Sequence, residues 1–261
     1  QVVREAGPSQ VGVLASPIAS LEELALTAKI ARGIGTNNLD HRLRRVDFRD
    51  QANDPVAPLL GCDIADIEQA AGVLVVGSNL RKEVPLIAHR VRQGAVRRSA
   101  KVSFINPRSY DVRFPVTANL TSNGLGMAQH LAAVLAASLK AQGRGMPSNV
   151  AAALEGVVPS TQHEGVAATL TAGELRVILL GALAQHHAAY SELRALALAL
   201  ADATGARLGY LPEGGNAVGA ALAGVLPHRA AGGRAVAAPG LNVVEMLAAR
   251  LKAYVLVGGI E

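Results

Sequence analysis

Short apolar runs alternate along this chain with longer segments whose apolar residues recur at helical spacing. The predicted strands are residues 11–14, 73–76, 101–105, 175–180, 207–210 and 253–257. The predicted helices are residues 21–32, 84–98, 126–140, a segment that begins near 150, 190–204 and 242–252. Strands that alternate with helices are typical of parallel sheets. The pattern therefore predicts an α/β protein with mostly parallel sheets.

Boundary signals support several of these helices. Ser20 and Glu23 have the spacing of a capping box, in which a hydroxyl and a carboxylate satisfy the first amides of a helix. Gly33 and Gly205 follow apolar helical segments, where glycine commonly ends a helix. Pro85 fits the first turn of the helix predicted at 84–98.

The composition of the 261 residues excludes several classes of protein. Half of the residues are hydrophobic and 17% are charged, so we expect a folded chain with a sizeable core. Aromatic residues make up 3%, too few for the stacking surfaces that bind single-stranded nucleic acid. No apolar run reaches the ~18–20 residues of a membrane span. We therefore expect no nucleic-acid partner and no direct membrane span.

The chain has a single cysteine, Cys62, and it begins at Gln1. One cysteine excludes an internal disulfide, a four-cysteine zinc site and an iron–sulfur cluster held within this chain. Cys62 has no nearby histidine in sequence to act as its base, and the adjacent His186 and His187 diverge on a helix or strand. We expect neither catalysis nor metal binding at these residues. Because the chain stops directly after the strand predicted at 253–257, we expect a fragment of a longer polypeptide.

The positive charge of the chain is confined to one stretch. Residues 41–113 contain 13 Lys and Arg against 8 Asp and Glu, whereas the remainder contains 12 of each. Basic stretches bind phosphates, acidic partners or anionic surfaces, and a solvated face is the equally weighted alternative. Arg42, Arg45 and Arg49 recur at helical spacing in this stretch. We predict that they either hold an anion or face a partner protein.

Three glycine-containing loops are candidate anion sites. Gly77, Ser78 and Asn79 follow a predicted strand and precede a helix, so their amides are placed to face an anion. The segments 124–126 and 214–216 are similar. None of them completes the glycine pattern of dinucleotide-binding or phosphate-binding loops. Ordinary turn glycines are the alternative at each position, so these residues alone leave the function open.

Several segments, in order along the chain, resemble the molybdopterin oxidoreductases of the formate dehydrogenase and nitrate reductase type. Residues 35–41 (GTNNLDH) resemble the segment just before the metal ligand of that family. The segments that resemble its nucleotide-binding parts are residues 66–68, 73–79, 83–85, 89–90, 101–108, 181–186, 196–205 and 216–219. The resemblance implies two Rossmann-like, three-layer αβα lobes. It assigns residues 1–45 with 172–261 to one lobe and residues 46–171 to a second, inserted lobe.

Two segments are most similar to one branch of that family. Residues 181–186 (GALAQH) and 211–220 (LPEGGNAVGA) resemble the large iron–sulfur subunit, the G subunit, of the bacterial NADH:quinone oxidoreductases, respiratory complex I. In that branch the N-terminal part carries the iron–sulfur clusters, and in most members the C-terminal molybdopterin-like part is regarded as a structural relic. The resemblance implies other subunits of the peripheral arm as partners, on the cytoplasmic side of the inner membrane. The whole complex oxidises NADH and reduces quinone.

The chain departs from the catalytic members of the family at two positions. The resemblance places Val46 where those enzymes have a Cys, selenocysteine, Ser or Asp metal ligand, with Asp47 as the ligand if the register slips by one. Asn106 stands where an Asp is usual. The other positions that match cofactor-binding segments, and that we expect to be vestigial, are Gly77, Ser78, Asn79, Arg108, Gln185, His186 and Asn216. We therefore expect no catalytic residue, no metal and no molybdopterin in this chain.

Two other functions stay open at this point. One is a genuine molybdopterin-dependent oxidoreductase with Asp47 as its metal ligand. The other is a stand-alone nucleotide-binding module. Metal analysis separates a structural relic from a working enzyme.

Overall fold

The computed structural model describes residues 1–124 and 126–259. Its strands are β1 (Val11–Ala15), β2 (Leu39–Asp40), β3 (Gly72–Val76), β4 (Lys101–Asn106), β5 (Ala118–Thr121), β6 (Arg176–Leu180), β7 (Arg207–Tyr210) and β8 (Ala253–Val257). Its helices are α1 (Val2–Ala6), α2 (Leu21–Gly33), α3 (Leu80–Glu83), α4 (Pro85–Arg97), α5 (Gly126–Ala141), α6 (Ala151–Leu154), α7 (Thr161–Thr169), α8 (Ala182–Gln185), α9 (Tyr190–Thr204), α10 (Ala217–Ala223) and α11 (Val243–Ala249). The strands form two parallel sheets, which confirms the predicted α/β class. The chain divides into two compact units.

The first unit consists of Gln1–Pro58 together with the chain from Pro212 onward. Its sheet has the order β2-β1-β8, and β1 pairs in parallel with β8 along its full length. Leu24 of α2 and Ala220 of α10 pack with one set of β1 side chains, and Met246 of α11 packs with the alternate set. Because successive side chains of a strand point to opposite faces, this small sheet is covered on both sides.

The second unit, Leu59–Leu211, contains a five-stranded parallel sheet with the order β5-β4-β3-β6-β7. Its central strand β3 divides its side chains between two cores. Val73 and Val75 pack in the core with α4, whereas Leu74 and Val76 pack in the core with α5, α7 and α9. Burial of each such side chain contributes roughly 1.5–3 kcal/mol. The two cores together hold the ends of β3 and β6 in fixed positions.

The domain boundaries differ from the predicted ones. Residues 172–211 are expected in the first lobe, but β6 and β7 lie in this segment and pair within the sheet of the second unit. Residues 46–58, expected in the inserted lobe, belong to the first unit. The physical reason is that residues 177–180 are apolar and fully buried. Such a strand suits an interior position of a five-stranded sheet with helices on both faces.

The predicted helix ends agree with the structure in most places. The Ser20 hydroxyl and the Glu23 carboxylate form the capping box of α2, and Gly205 ends α9 in the left-handed conformation. The helix predicted from about residue 150 is instead two helices, α6 and α7, because Pro159 lies between them. No helix in the described part of the chain is long and apolar enough to cross a membrane.

The close approach of β7 to the start of the second unit gives a test of its packing. A Cβ on Gly209 would lie 2.1 Å from the carbonyl oxygen of Leu60, and a backbone atom cannot move aside as a side chain can. We expect Gly209→Ala to lower the free energy of unfolding by about 3 kcal/mol, as overpacking does. Urea denaturation measures this change.

Gly165→Ala is the matched control for the same substitution. Gly165 lies within α7, and a Cβ added to it would meet no atom within 4 Å, so we expect a gain of up to about 1 kcal/mol from helix propensity. Equal effects of the two substitutions would contradict the described packing of β7.

Candidate functional site

The carboxyl ends of β3 and β6 mark the place where this fold offers a ligand site. From β3 the sheet continues through β4 to β5 in one direction, and from β6 it continues to β7 in the other. In open parallel sheets such a reversal of strand order opens a crevice at the carboxyl ends of the two strands. Residues 77–79 follow β3 and Gly181 follows β6. The structure therefore brings two of the predicted segments together at the switch point.

The two loops at the switch point pack directly against each other. The N–H of Leu183 donates to the carbonyl oxygen of Gly77 at 2.9 Å. A Cβ on Gly77, whose φ is +65°, would lie 2.3 Å from the backbone nitrogen of Ala184. A Cβ on Gly181 would lie 2.3 Å from the Cβ of Ser78. Glycine at these two positions permits contact between the loops.

Asn106, at the end of β4, fastens the loop that follows β3. Its Oδ1 accepts the N–H of Ser78 at 2.8 Å, and its Nδ2 donates to the carbonyl oxygen of Ser78 at 3.1 Å. Both residues are buried. An ionised Asp has no N–H to donate to that carbonyl, because a carboxylate only accepts. Asparagine at this position therefore supports the loop itself.

Glu83, the last residue of α3, collects hydrogen-bond donors from both loops. Its Oε2 accepts the hydroxyl of Ser78 at 2.7 Å and the N–H of Ala182 at 3.3 Å. Its Oε1 accepts the N–H of Asn79 at 2.8 Å. We call Ser78, Asn79, Ala182 and Glu83 the carboxylate niche.

The carboxylate niche has the donors of an anion site and an anion of its own. Backbone amides and a hydroxyl that converge at the ends of parallel strands are the groups that hold phosphate or carboxylate ligands. In this chain the carboxylate of Glu83 accepts these donors in place of a ligand's oxygens. In the sequence pattern Glu83 is only part of a matching segment, so its role as the acceptor was not predicted. The available signal was an acidic residue a few positions after a glycine loop.

Two further predicted positions lie beside β6. Gln185 uses its Nε2 to donate to the carbonyl oxygens of Leu180, at 3.1 Å, and Leu211, at 2.7 Å. It thereby joins the ends of β6 and β7. His186 directly follows α8, and its N–H donates to the carbonyl oxygen of Ala182 at 2.9 Å. The Gln185 side chain therefore stabilises the backbone of the second unit.

The remaining two predicted positions lie elsewhere. Arg108 is exposed in the loop after β4, with its guanidinium 5.1 Å from the ring centre of Tyr110. Asn216 belongs to the first unit, where its Nδ2 donates to the carbonyl oxygen of Ala19 at 2.9 Å. Asn216 therefore joins the loop before α10 to the loop before α2.

The segment that contains the expected metal-ligand position also lies in the first unit. Val46 is 55% exposed and offers only a hydrocarbon. The buried carboxylate of Asp47 accepts the backbone N–H of Arg49 at 3.1 Å, its Nε at 2.9 Å and its Nη2 at 3.0 Å. A carboxylate that is held by one guanidinium in this way is not presented as a metal ligand.

Arginines of this segment form an internal network of ion pairs. Arg42 binds Asp40 through Nε and Nη2, both at 2.8 Å, and Arg45 binds Asp54. Both guanidinium groups also lie over the ring of Phe48, at 4.8 and 5.1 Å from its centre. Bidentate pairing and ring contact both favour arginine over lysine at these positions.

This network corrects the expectation for the three arginines. Residues 41–50 form turns and irregular loop, so the expectation that Arg42, Arg45 and Arg49 lie on one face of a helix is wrong. The side chains of Arg42 and Arg45 are only 12% and 8% exposed, and they turn toward carboxylates of their own unit. They do not offer a partner-facing surface. The side chain of Arg49 is 70% exposed. The spacing of the arginines could not show which of them are buried, because Asp40 and Asp54, the partners of the two buried arginines, lie outside residues 42–49.

Burial and charge set the protonation states around this network. Burial raises the pKa of Asp40, but the charge and hydrogen bonds of Arg42 outweigh this and lower the pKa overall. Burial lowers the pKa of His41, whose Nδ1 lies 2.9 Å from the carbonyl oxygen of Val225. Burial, with the nearby charges of Arg42 and Arg229, lowers the pKa of His228 to about 4. At neutral pH the histidines are uncharged and the carboxylates balance the arginines.

Potential metal ligands and nucleophiles do not form a further site in the described residues. Burial raises the pKa of the Cys62 thiol, which keeps it protonated and unreactive at neutral pH. No group of three or more His, Cys, Asp or Glu in the described ranges has the arrangement of a metal site. Nδ1 of His130 lies 2.9 Å from Nε2 of His163, whose Nδ1 accepts the N–H of Ser160 at 3.0 Å. Hydrogen bonds therefore occupy both nitrogens of His163.

Comparison with known proteins adds family evidence to this geometry. The family model described as molybdopterin oxidoreductase matches residues 1–258. Two curated proteins, each named as the G subunit of NADH-quinone oxidoreductase, come from Mycobacterium bovis and Mycobacterium tuberculosis, and each is 29% identical over 89% of this chain. This chain spans only 26% of their length. A probable oxidoreductase of Bacillus subtilis, YjgC, is 33% identical over 41% of this chain and 11% of its own length.

A solved structure shares the fold at low sequence identity. A chain of the formyltransferase/hydrolase complex FhcABCD of Methylorubrum extorquens, solved with methylofuran, superposes with a TM-score of 0.62 and 18% identity. The match covers 96% of this chain and 69% of that one. At this identity the likeness concerns the fold alone.

The buried ion pairs of the first unit give a test of their contribution to stability. Asp40→Asn leaves Arg42 with an uncharged acceptor, and we expect the free energy of unfolding to fall by about 3 kcal/mol. Asp111→Asn, at an exposed carboxylate beside Arg113, is the control and is expected to cost at most about 1 kcal/mol. Urea denaturation at pH 7 measures both.

The same variant tests the pKa of Asp40. A carboxylate whose pKa is lowered by folding stabilises the protein above its unfolded pKa of about 3.9, and this contribution is lost as pH falls through the folded pKa. We therefore expect the difference between the parent and Asp40→Asn to shrink as the pH falls from 5 toward 2. A difference that does not change over this range would refute the lowered pKa.

The carboxylate niche predicts an effect of neutralising Glu83. Glu83→Gln keeps the shape, but it replaces one acceptor oxygen by an amide that faces donors. We expect a loss of roughly 1.5–3 kcal/mol, the usual range for hydrogen bonds to charged groups. Glu164→Gln, at an exposed carboxylate 3.8 Å from Lys140, is expected to change stability by less than about 1 kcal/mol. Similar small losses in both variants would contradict the niche.

Proposed function

Because this chain belongs to the molybdopterin oxidoreductase family, we propose that it is a cofactor-free, structural region of the G-subunit type. In this proposal it scaffolds the peripheral arm of an NADH:quinone oxidoreductase, and the whole complex oxidises NADH and transfers electrons to quinone. The two mycobacterial relatives support this assignment through 29% identity over 89% of the chain. The proposal extends beyond the matched region, since the chain spans about a quarter of those proteins.

The carboxylate niche is the observation that carries the cofactor-free part of the proposal. A pterin dinucleotide brings phosphates, and a parallel sheet holds phosphates with free amides at its switch point. In this chain Glu83 accepts the donors of Ser78, Asn79 and Ala182. A phosphate placed there would have to displace a carboxylate and leave its charge nearby. This internal pairing supports the proposal that no such group binds at this edge.

The metal position supports the same conclusion. Val46 has no atom that binds molybdenum or tungsten, and the carboxylate of Asp47 is held by Arg49. A genuine molybdopterin enzyme would require Asp47 to leave this pairing. Such an exchange would break the three hydrogen bonds that hold this buried carboxylate, although the Arg49 side chain itself is 70% exposed.

A scaffold role suits the way both units are built. Each sheet is parallel and has helices on both faces, and the polar groups near the strand ends pair within their own unit. This internal pairing supports a role that requires no ligand. In the proposed complex the chain acts through its surface, at the cytoplasmic side of the inner membrane, and its partners are other subunits of the peripheral arm.

Metal analysis of the full-length protein in its native complex tests this proposal. We expect no molybdenum or tungsten above background by plasma mass spectrometry. Variant Glu83→Ala is expected to lower the amount of assembled complex while NADH:quinone activity per assembled complex stays unchanged, because the residue acts through stability. Glu164→Ala is the control and leaves both quantities unchanged.

Three outcomes would overturn the proposal. One molybdenum or tungsten per chain would favour a genuine molybdopterin enzyme. Purification of the full-length protein alone, with bound nucleotide and no other subunit, would favour a stand-alone nucleotide-binding module. Loss of activity per assembled complex in Glu83→Ala, at normal assembly, would assign this region a catalytic role.

A further inference from the structure

Helix α4 has one face in the core of the second unit and one face in solvent. Its inner side chains, which include Ile87, Val91 and Ala95, are buried against the sheet. Opposite them, spaced by three or four residues so that they share one side of the helix, are Leu86, His89, Arg92, Gln93, Val96 and Arg97. We call these six residues the α4 outer face.

Positive charge accumulates on and around the α4 outer face without an equal number of acids. The exposed cations of this region for which the described residues provide no ion pair are Lys82, Arg92, Arg97, Arg98 and Lys101. Of the nearby acids, Glu68 pairs with Arg90, and Glu83 belongs to the carboxylate niche. The positive balance predicted for residues 41–113 is therefore exposed here, whereas Arg42 and Arg45 are buried.

Two large apolar side chains lie among these cations. Leu86 is 76% exposed and Val96 is 53% exposed. They are ten residues apart, which is roughly 15 Å along a helix. Single exposed apolar residues are common on protein surfaces, but two on one side of a helix with cations among them supply both the apolar and the charged contacts that protein interfaces use.

We propose that the α4 outer face docks onto an acidic surface of another protein subunit. Leu86 and Val96 contact apolar side chains of that subunit, and the Lys and Arg side chains among and around them meet its Asp and Glu residues. Arginine is enriched at such interfaces, and complementary charge raises the association rate. The identity of the partner as a subunit of the complex rests on the proposed function, whereas the surface itself does not.

Two other anionic partners fit this face less well. A helix that enters a membrane surface inserts its apolar side, and the apolar side of α4 is buried in the core. Single-stranded nucleic acid needs aromatic side chains on which bases stack, and the α4 outer face has none. An acidic protein surface uses both features that are present, the cations and the two exposed apolar side chains.

A zero-length cross-linker tests the acidic nature of the partner. Carbodiimide activates a carboxylate, which then forms an amide bond with a lysine within contact distance. In the isolated native complex we expect peptide mass spectrometry to find Lys82 and Lys101 joined to Asp or Glu of a different polypeptide. Lys29 and Lys252, exposed lysines of the first unit, are the reference for non-specific coupling.

Charge reversal tests the contribution of the face to assembly. We expect Arg92→Glu with Arg97→Glu to lower the rate at which the full-length protein joins its complex by about tenfold at low salt. The difference is expected to shrink as salt screens the charges. Lys29→Glu with Lys252→Glu makes the same change of charge elsewhere and is expected to have less than about a twofold effect. Leu86→Ala with Val96→Ala is expected to speed dissociation at all salt concentrations.

The outcomes separate this inference from the proposed function. Cross-links of Lys82 and Lys101 only within their own chain, or assembly that is insensitive to reversal of Arg92 and Arg97, would overturn the docking surface even if the complex contains no molybdenum. Binding to vesicles of phosphatidylserine and phosphatidylcholine, or to duplex DNA, that charge reversal abolishes would assign the face to that partner instead. Stoichiometric molybdenum with intact docking would overturn the proposed function alone.

Discussion

The second unit depends on one carboxylate that accepts donors from both loops at its switch point. A parallel sheet with this strand order directs the amides of two loops toward the same place, and those amides need an acceptor. Glu83 supplies it from within the chain through Ser78, Asn79 and Ala182. The glycine turns of both loops are thereby held together by an acceptor from the same chain.

The first unit follows the same principle with more groups. Its arginines Arg42, Arg45 and Arg49 pair with Asp40, Asp54 and Asp47 of the same unit. Buried charges require such pairing, because an unpaired charge in a dry interior costs several kcal/mol. In both units the charged groups near the predicted site residues pair within the chain. A structural role without cofactor is the function that this shared feature favours.

Much of the fold was predictable because it depends on local signals. Apolar runs located β1, β3, β4 and β8, and the capping box of Ser20 located the start of α2. The pairing of strands depends on contacts between residues far apart in sequence. The resemblance to the family therefore assigned β6 and β7 to the wrong lobe. The site was predictable only in part for the same reason. The loop at Gly77 was identified from sequence, but its acceptor Glu83 and the pairing of Arg45 with Asp54 depend on the folded chain.

The central claim is that the donors at the switch point are already satisfied, and the binding of GDP tests it most directly. Isothermal titration calorimetry of the full-length protein with GDP measures whether a nucleotide phosphate can take the place of the Glu83 carboxylate. We predict no saturable binding up to about 1 mM GDP. At that concentration even a binding free energy of about −4 kcal/mol would be detected. Saturable binding with a micromolar Kd that protects the loop at residues 77–79 from hydrogen exchange would contradict it.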